Sequence, residues 1–459
     1  MKKSALILLT AVVAVSTLIL AACPPPIGPG GGDEIPLDPP KSALYIGAAA
    51  TPESAAGTTL DSNLEWLRTN ALDNTAYTIK LNASGSIDNI ELNSYSHGKD
   101  NVSITLTTVG QAEVIIALKA NGRLFTVGNW EGGYHITLTL GGSITLRGRS
   151  NNTSELVRVN KDAALGLTGN VKITGNNSGG GVQSEDGGTI TMSGGKINGN
   201  NGAGVTLRNP GTTFTMSGGE ISGNTAGDGS GVKVENGAAF IMSGTAVISG
   251  NNATWNGGGV KMRGSGTTFT MSGGTIRGNT AQEGGGVKVE DNAAFTMSGT
   301  AAVIDGNTST NGGGGVRADR STFTLSDGTI SNNTANQGGG VNMGGSGSSF
   351  TMTGGTISGN TADNDHGFAG GGLYVFSKPG EVSTFSKTGG IIYGDTDNIH
   401  TPGSTENTAT HNGGQGHAVW LYTLNGTDNQ LRNTDAGPSV NMSWDGTTAE
   451  GFDDSTPWG

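Results

Sequence analysis

Apolar and polar residues alternate in short runs along most of this chain, and the runs recur at a nearly fixed interval. In Val232-Lys233-Val234-Glu235 and Phe240-Ile241-Met242, alternation puts Val232, Val234, Phe240 and Met242 on one face. Lys233, Glu235 and Ile241 fall on the other. A shorter run around Val247-Ile248 ends at Gly250-Asn251. Period-two alternation in such short runs predicts β-strands, three to a repeat. The position of Met216 is filled in turn by Leu167, Met192, Met216, Met242, Met271, Met297, Leu325 and Met352. The steps are 25, 24, 26, 29, 26, 28 and 27 residues. Repeats of that length built from strands predict a solenoid. The repeats lack Leu-x-x-Leu-x-Leu and a helix, which excludes a leucine-rich repeat. The expected fold is all-β: a right-handed parallel β-helix of about 12 coils, roughly 55–60 Å long at about 4.8 Å per coil.

Coils also alternate in kind. Val205-Thr206-Leu207-Arg208 matches Val260-Lys261-Met262-Arg263, and Val232-Lys233-Val234-Glu235 matches Val287-Lys288-Val289-Glu290, each 55 residues apart. A duplicated two-coil unit explains this. Asn recurs at one corner, at Asn176, Asn200, Asn224, Asn251, Asn279, Asn307, Asn333 and Asn360. Asn tolerates the left-handed backbone that a sharp corner needs. Stacked Asn side chains can also hydrogen-bond from coil to coil, so a structural ladder is expected. The inward Met row reads as adaptable core filling.

The ends read differently. Leu60 to Ala71 predicts a helix with Leu64, Leu67 and Ala71 on one face and a Ser62/Glu65 capping box. Residues 42–76 are therefore expected to cap the open N-terminal edge of a β-helix at 77–395. Residues 396–459 lose the repeat and gain Trp420, Tyr422, Trp444 and Trp458, with a last strand near Gly416–Tyr422, and are expected to form a C-terminal cap.

Composition changes the picture in two ways. With 83 Gly and 33% hydrophobic residues in 459, the chain is too lean for a thick globular core but suits the thin core of stacked coils. A net charge of −12 with no concentrated basic face argues against a nucleic-acid partner.

Candidate chemistry lies on the outward positions. Glu185, Arg208, Glu235, Arg263, Glu290 and Asp319 end the first strands. One place further in stand Lys233, Lys261, Lys288 and Arg317, a candidate ligand-facing row for an acidic glycan or anionic surface. The competing reading is a solvated face balanced by the adjacent acids. Trp255, on the corner loop Asn252-Ala253-Thr254-Trp255, is a candidate platform for a sugar ring. Asp363 and Asp365, in Asp363-Asn364-Asp365-His366, are weak metal candidates, because the loop offers fewer oxygens than Ca²⁺ takes. Outward Thr pairs recur at Thr189/Thr191, Thr213/Thr215, Thr268/Thr270 and Thr322/Thr324. No catalytic set and no cofactor is expected.

The first residues resemble a bacterial lipoprotein signal: Lys2 and Lys3, an apolar run from Ala5 to Leu20, then Leu20-Ala21-Ala22-Cys23. The resemblance implies removal of residues 1–22 and lipidation of Cys23, the only Cys. A Pro/Gly-rich tether at 23–41 would follow. Pro24 after the Cys implies the outer membrane or cell surface. Gly257-Gly258-Gly259-Val260 followed by Phe269-Thr270-Met271-Ser272-Gly273-Gly274-Thr275-Ile276-Arg277-Gly278-Asn279 resembles the repeats of spirochaete β-helix lipoproteins. It is also similar to the Gly-Gly-aliphatic and Phe-x-x-Asn repeats of chlamydial polymorphic outer-membrane proteins, although here the Asn follows Ile-x-Gly. The resemblance spans about 165–395 and implies a pectate-lyase-like β-helix on the cell surface. It implies a structural or adhesive role toward a host or matrix glycan or protein. The alternative is a polysaccharide-binding or polysaccharide-degrading protein. Against the latter, Asn433-Thr434-Asp435 and Asp453-Asp454 stand in the wrong order and place for a polygalacturonase set.

Overall fold

The computed structural model describes residues 38–48, 51–92, 100–344, 347–363, 370–377, 382–394, 407–409, 418–423, 430–432, 441–444 and 449–450. The leader with Cys23, and Asp365, lie outside the described residues.

One coil shows how the pattern folds. Val232–Glu235 runs outward to a turn, Ala239–Met242 follows, then Val247–Ser249, then Asn252–Asn256, and Val260–Arg263 begins the next coil. Each strand pairs in parallel with its equivalent one coil on, as in Val232↔Val260 and Phe240↔Phe269. Among the described residues, the first strands form a thirteen-stranded column whose last pairing alone is antiparallel. This is the expected parallel β-helix. The expectation of three strands per coil is corrected to four over much of the chain. The segments after the corner Asn, read as loops, form, among the described residues, a parallel sheet of seven strands from Thr225–Asp228 to Thr408–Ala409. Once the coils are stacked in register, these segments lie side by side, and their backbone groups are satisfied by pairing.

The core is a set of columns. Phe214, Phe240, Phe269, Phe295, Phe323, Phe350 and Phe385 stack along the axis with centroids 4.6 to 5.3 Å apart. Beside them, Met192, Met216, Met242, Met271, Met297, Leu325 and Met352 are all buried. Lys387 takes the next place in that column and is also fully buried.

At the N-terminal end, Ser42–Ile46 pairs antiparallel with Ala76–Leu81. The helix Leu60–Asn70 buries Leu60, Leu64 and Leu67 over that edge. Its cap is Thr59 with Ser62, one turn earlier than expected; Glu65 pairs instead with Arg68 at 2.6 Å. The Ser86 N–H donates to Asp38 O and the Leu60 N–H to Pro40 O, so the fold begins inside the expected 23–41 tether. At the other end, Val419–Thr423 pairs in parallel with Leu373–Ser377, which extends the coils beyond residue 395. Two antiparallel strands, Gln430–Arg432 and Met442–Trp444, then close the edges.

Candidate functional site

The Asn corner forms a continuous ladder. Asn251 donates its N–H and its Nδ2 to Asn279 Oδ1 at 2.9 and 3.0 Å. Asn279 donates in the same way to Asn307, and its Nδ2 also reaches Ile248 O at 3.1 Å. The pattern holds through Asn200, Asn224, Asn251, Asn279, Asn307, Asn333 and Asn360, and continues to Asn407. All are buried, so this row holds the coils and meets no ligand. The left-handed backbone belongs to the residue before the Asn, as at Gly278 with φ 59°. At Asn332, which stands in that Gly place, φ is 54°.

The proposed ligand-facing row is corrected. Lys261 and Lys288 are buried, at 4% and 1% exposure, and each is held between two acids. Lys261 Nζ lies 3.0 Å from Asp228 and 3.2 Å from Glu290. Lys288 Nζ lies 2.7 Å from Glu283 and also pairs with Asp319. Lys233 pairs with Glu235 at 3.0 Å, and Arg317 Nε lies 3.1 Å from Asp319 and 3.3 Å from Glu283. The row points away from the core as alternation requires. However, the ends of the fourth strands fold over it and bring Asp228 and Glu283, which are one 55-residue unit apart. Burial raises the Asp319 carboxyl, but Arg317 and Lys288 overcome it and hold the group below its ordinary value. Asp228 and Glu235 behave alike: burial is outweighed by Lys261 for the first and by Lys233 for the second. The outer acid–base row is in register as expected, Glu235↔Arg263 and Arg263↔Glu290.

Trp255 stands on the outer face of the fourth-strand sheet and is 56% exposed, beside Thr280, Gln282 and Thr310. Asp363 is exposed just past the strand Thr361–Ala362, and its N–H donates to Ala335 O. Among the described residues, no group of three or more His, Cys, Asp or Glu could hold a metal. The Thr pairs prove longer than the repeat suggested. One outward column reads Thr78, Thr105, Thr139, Gly166, Thr191, Thr215, Ile241, Thr270, Thr296, Thr324, Thr351 and Ser386 in register.

A cavity of about 350 Å³ went unnoticed in the sequence. It is lined by Arg317, Gln337, Gly344, Tyr374, Phe376 and Tyr422. Here the charged row of the first strands gives way to other chemistry: Arg317 pairs with Asn342, Asn342 with Tyr374 and Tyr374 with Trp420. Phe376 stacks on Tyr422 with centroids 5.7 Å apart and an interplanar angle of 18°. Burial raises the Tyr374 phenol far above its ordinary value, so it stays a neutral hydroxyl. Apart from Arg317, which the sequence placed in the charged row, these residues sit in coils that have drifted from the consensus, so no repeat position marked them. A second concavity, of about 370 Å³, lies at the N-terminal cap between Asp61, Glu65, Arg68, Asp88 and Glu91. Burial, and then Asp88, raise the Asp61 carboxyl.

The protein is thus an all-β right-handed parallel β-helix. Residues 227–386 match the family described as the right-handed β-helix region, and that stretch is what the chain is similar to. No curated protein and no solved structure matches it.

Proposed function

We propose that this β-helix repeat protein is a lipid-anchored lipoprotein of the outer membrane or cell surface with a structural or adhesive role, and that it is not an enzyme. The Leu20-Ala21-Ala22-Cys23 sequence after an apolar run carries the anchor. The self-neutralised first-strand row supports the rest: Lys233, Lys261, Lys288 and Arg317 are paired with neighbouring acids, and among the described residues the coils repeat without a convergent catalytic set. The partners are the membrane, through acyl chains on Cys23, and a host or matrix glycan or protein. Two or more acyl chains are needed for a stable anchor. Protease treatment of intact cells, with and without permeabilisation, tests exposure, and a Cys23→Ser form tests the anchor. Cleavage on intact cells and release of Cys23→Ser into the soluble fraction are expected. Protection from protease in intact cells would overturn the adhesive role, and retention of Cys23→Ser in the membrane would overturn lipid anchoring.

The second reading, a polysaccharide-binding or polysaccharide-degrading protein, is favoured by the exposed Trp255. An assay for new reducing ends and unsaturated products on acidic and neutral polysaccharides separates it from the first. Turnover would establish the enzyme.

A further inference from the structure

We propose that Lys288 and Asp319 are joined by an isopeptide bond that forms within the folded chain, with Glu283 as its proton carrier. The three side chains come from three strands. Lys288 stands on Val287–Glu290, Asp319 on Val316–Asp319 one coil on, and Glu283 ends the fourth strand Thr280–Glu283. In register Lys288 lies opposite Arg317, so Asp319 is its diagonal neighbour two residues along. Lys288 is buried, and its amine is in contact with Asp319 Oδ2. The amine also donates to Glu283 Oε2 at 2.7 Å. Arg317 Nε donates to the same Asp319 oxygen at 3.1 Å and lies 3.3 Å from the same Glu283 oxygen. A nucleophile, a carboxyl carbon, a proton carrier and a cation beside the carboxyl are therefore held in one place.

Each group has a chemical task. The ion pair described above is the starting state. The Lys288 ammonium passes one proton to Asp319 Oδ2, which leaves a neutral amine beside a neutral acid. The nitrogen lone pair then forms a bond to Asp319 Cγ. Glu283 takes a proton from that nitrogen and hands it to Oδ2, which breaks from Cγ and leaves as water. Oδ1 stays as the amide carbonyl. Arg317 holds the departing oxygen, and its charge lies beside the carboxyl as negative charge builds there. One ammonium and one carboxylate give one amide and one water, with no oxidant and no further reactant. Between free groups in water this condensation is unfavourable, but groups fixed in contact reach effective concentrations of about 10⁵–10⁸ M. The local charges favour the product as well. Lys288 and Arg317 face Glu283 and Asp319, and the bond removes one charge of each sign and leaves Arg317 paired with Glu283. Asp319 Oδ1 is buried and receives no hydrogen bond from a described residue, which costs a carboxylate more than an amide carbonyl. Lys261 marks the contrast. It too lies between two acids, Asp228 and Glu290, but Arg263 is 3.8 Å from Glu290 and is taken up by Asp291 at 2.9 Å. Without a cation on the carboxyl, that site stays an ion pair.

The bond ties two successive coils covalently, beyond their hydrogen bonds, and depends neither on the anchor nor on a ligand. In a linked chain Asp319 no longer titrates, and any unlinked chain keeps the ion pair. The test is peptide mass after purified full-length protein is denatured and digested with a protease that cuts after Lys, except before Pro. An unlinked chain is cut after Lys261, Lys288 and Lys387. The linked chain is expected to give residues 262–387 as one piece, uncut at Lys288 and lighter than its sequence by one water. Fragmentation is expected to place the branch between Lys288 and Asp319. Lys288→Arg, which keeps the charge but cannot form the bond, is expected at full sequence mass. Glu283→Gln is expected to keep the fold, checked by circular dichroism, and to be cut after Lys288. Cleavage after Lys288 in the folded wild-type protein, a 262–387 piece at full mass, a water loss that persists in Lys288→Arg, or a link that survives Glu283→Gln would each overturn the assignment. The wild-type mass decides the bond even where a variant fails to fold.

Discussion

Single residues on the outer face differ sharply in what they contribute. The Lys288 side chain is 2% exposed and sits between Glu283 and Asp319, whereas Arg263, in the adjacent row, is 56% exposed. Removing one partner of a buried pair leaves charge without compensation, which costs about 3–5 kcal/mol; an exposed pair contributes about 0–1 kcal/mol. Lys288→Ala is therefore expected to lower stability toward denaturant by roughly 3 kcal/mol. Arg263→Ala should change it by less than about 1 kcal/mol. Equal losses would show that the burial of Lys288 is unimportant. The same acids set an acid limit. Asp228 and Asp319 are held below an ordinary 3.8, and Glu235 below an ordinary 4.5, in each case because cations outweigh burial. A carboxyl whose folded value is the lower one stabilises the fold fully above its unfolded value. That contribution is lost as pH falls through the depressed folded value. Stability toward urea should thus be flat from neutrality down to the ordinary carboxylate range and fall below it. A decline already under way near neutral pH would contradict this.

At the scale of the element, the coil corner depends on one side chain used twice. Each ladder Asn accepts two hydrogen bonds from the Asn one coil before it and donates two to the Asn one coil after it. Asn279→Ala would leave the Asn251 N–H and Nδ2 without their acceptor, both buried. With about 1–3 kcal/mol for each unsatisfied group, a loss of several kcal/mol is expected. Faster amide exchange should appear first at residue 251, whose N–H loses its acceptor. A neutral substitution would mean that the Gly turns alone hold the corner. Gly258 shows why Gly runs precede the first strands: an added Cβ would lie 2.5 Å from Thr280 O and 2.6 Å from Gly285 O. The close approach of coils explains Gly257-Gly258-Gly259.

For the whole molecule, stability is a sum over coils and their interfaces, because each coil touches only its neighbours. The 55-residue two-coil unit makes this testable. Deleting residues 232–286 joins Gly231 to Val287, a register position equivalent to Val232. The shortened chain is expected to fold and to lose roughly 10 Å of coil stack, two spacings of about 4.8 Å, by small-angle scattering. An aggregated or unfolded product would show that the two-coil units are not interchangeable. The proposed anchor and surface role belong to this scale as well, since they depend on where the chain is held and not on how its coils pack.

The alternation, the repeat step and the corner Asn were enough to determine the columns: which residues face inward, which strands pair, and that the Asn side chains stack. Those properties are local and periodic, so each coil states them again. Three things were decided only in the folded molecule. The fourth-strand sheet arises because segments with no alternation of their own are held side by side by their neighbours. The burial of Lys261 and Lys288 follows from it, since those strands carry Asp228 and Glu283 over a row that alternation could only label outward. The cavity beside Gly344 needs Arg317, Gln337, Tyr374 and Tyr422, which span more than a hundred residues and meet only through register in coils of unequal length. Periodicity fixes direction from the axis; what covers an outward side chain depends on contacts between coils, and those no single repeat encodes.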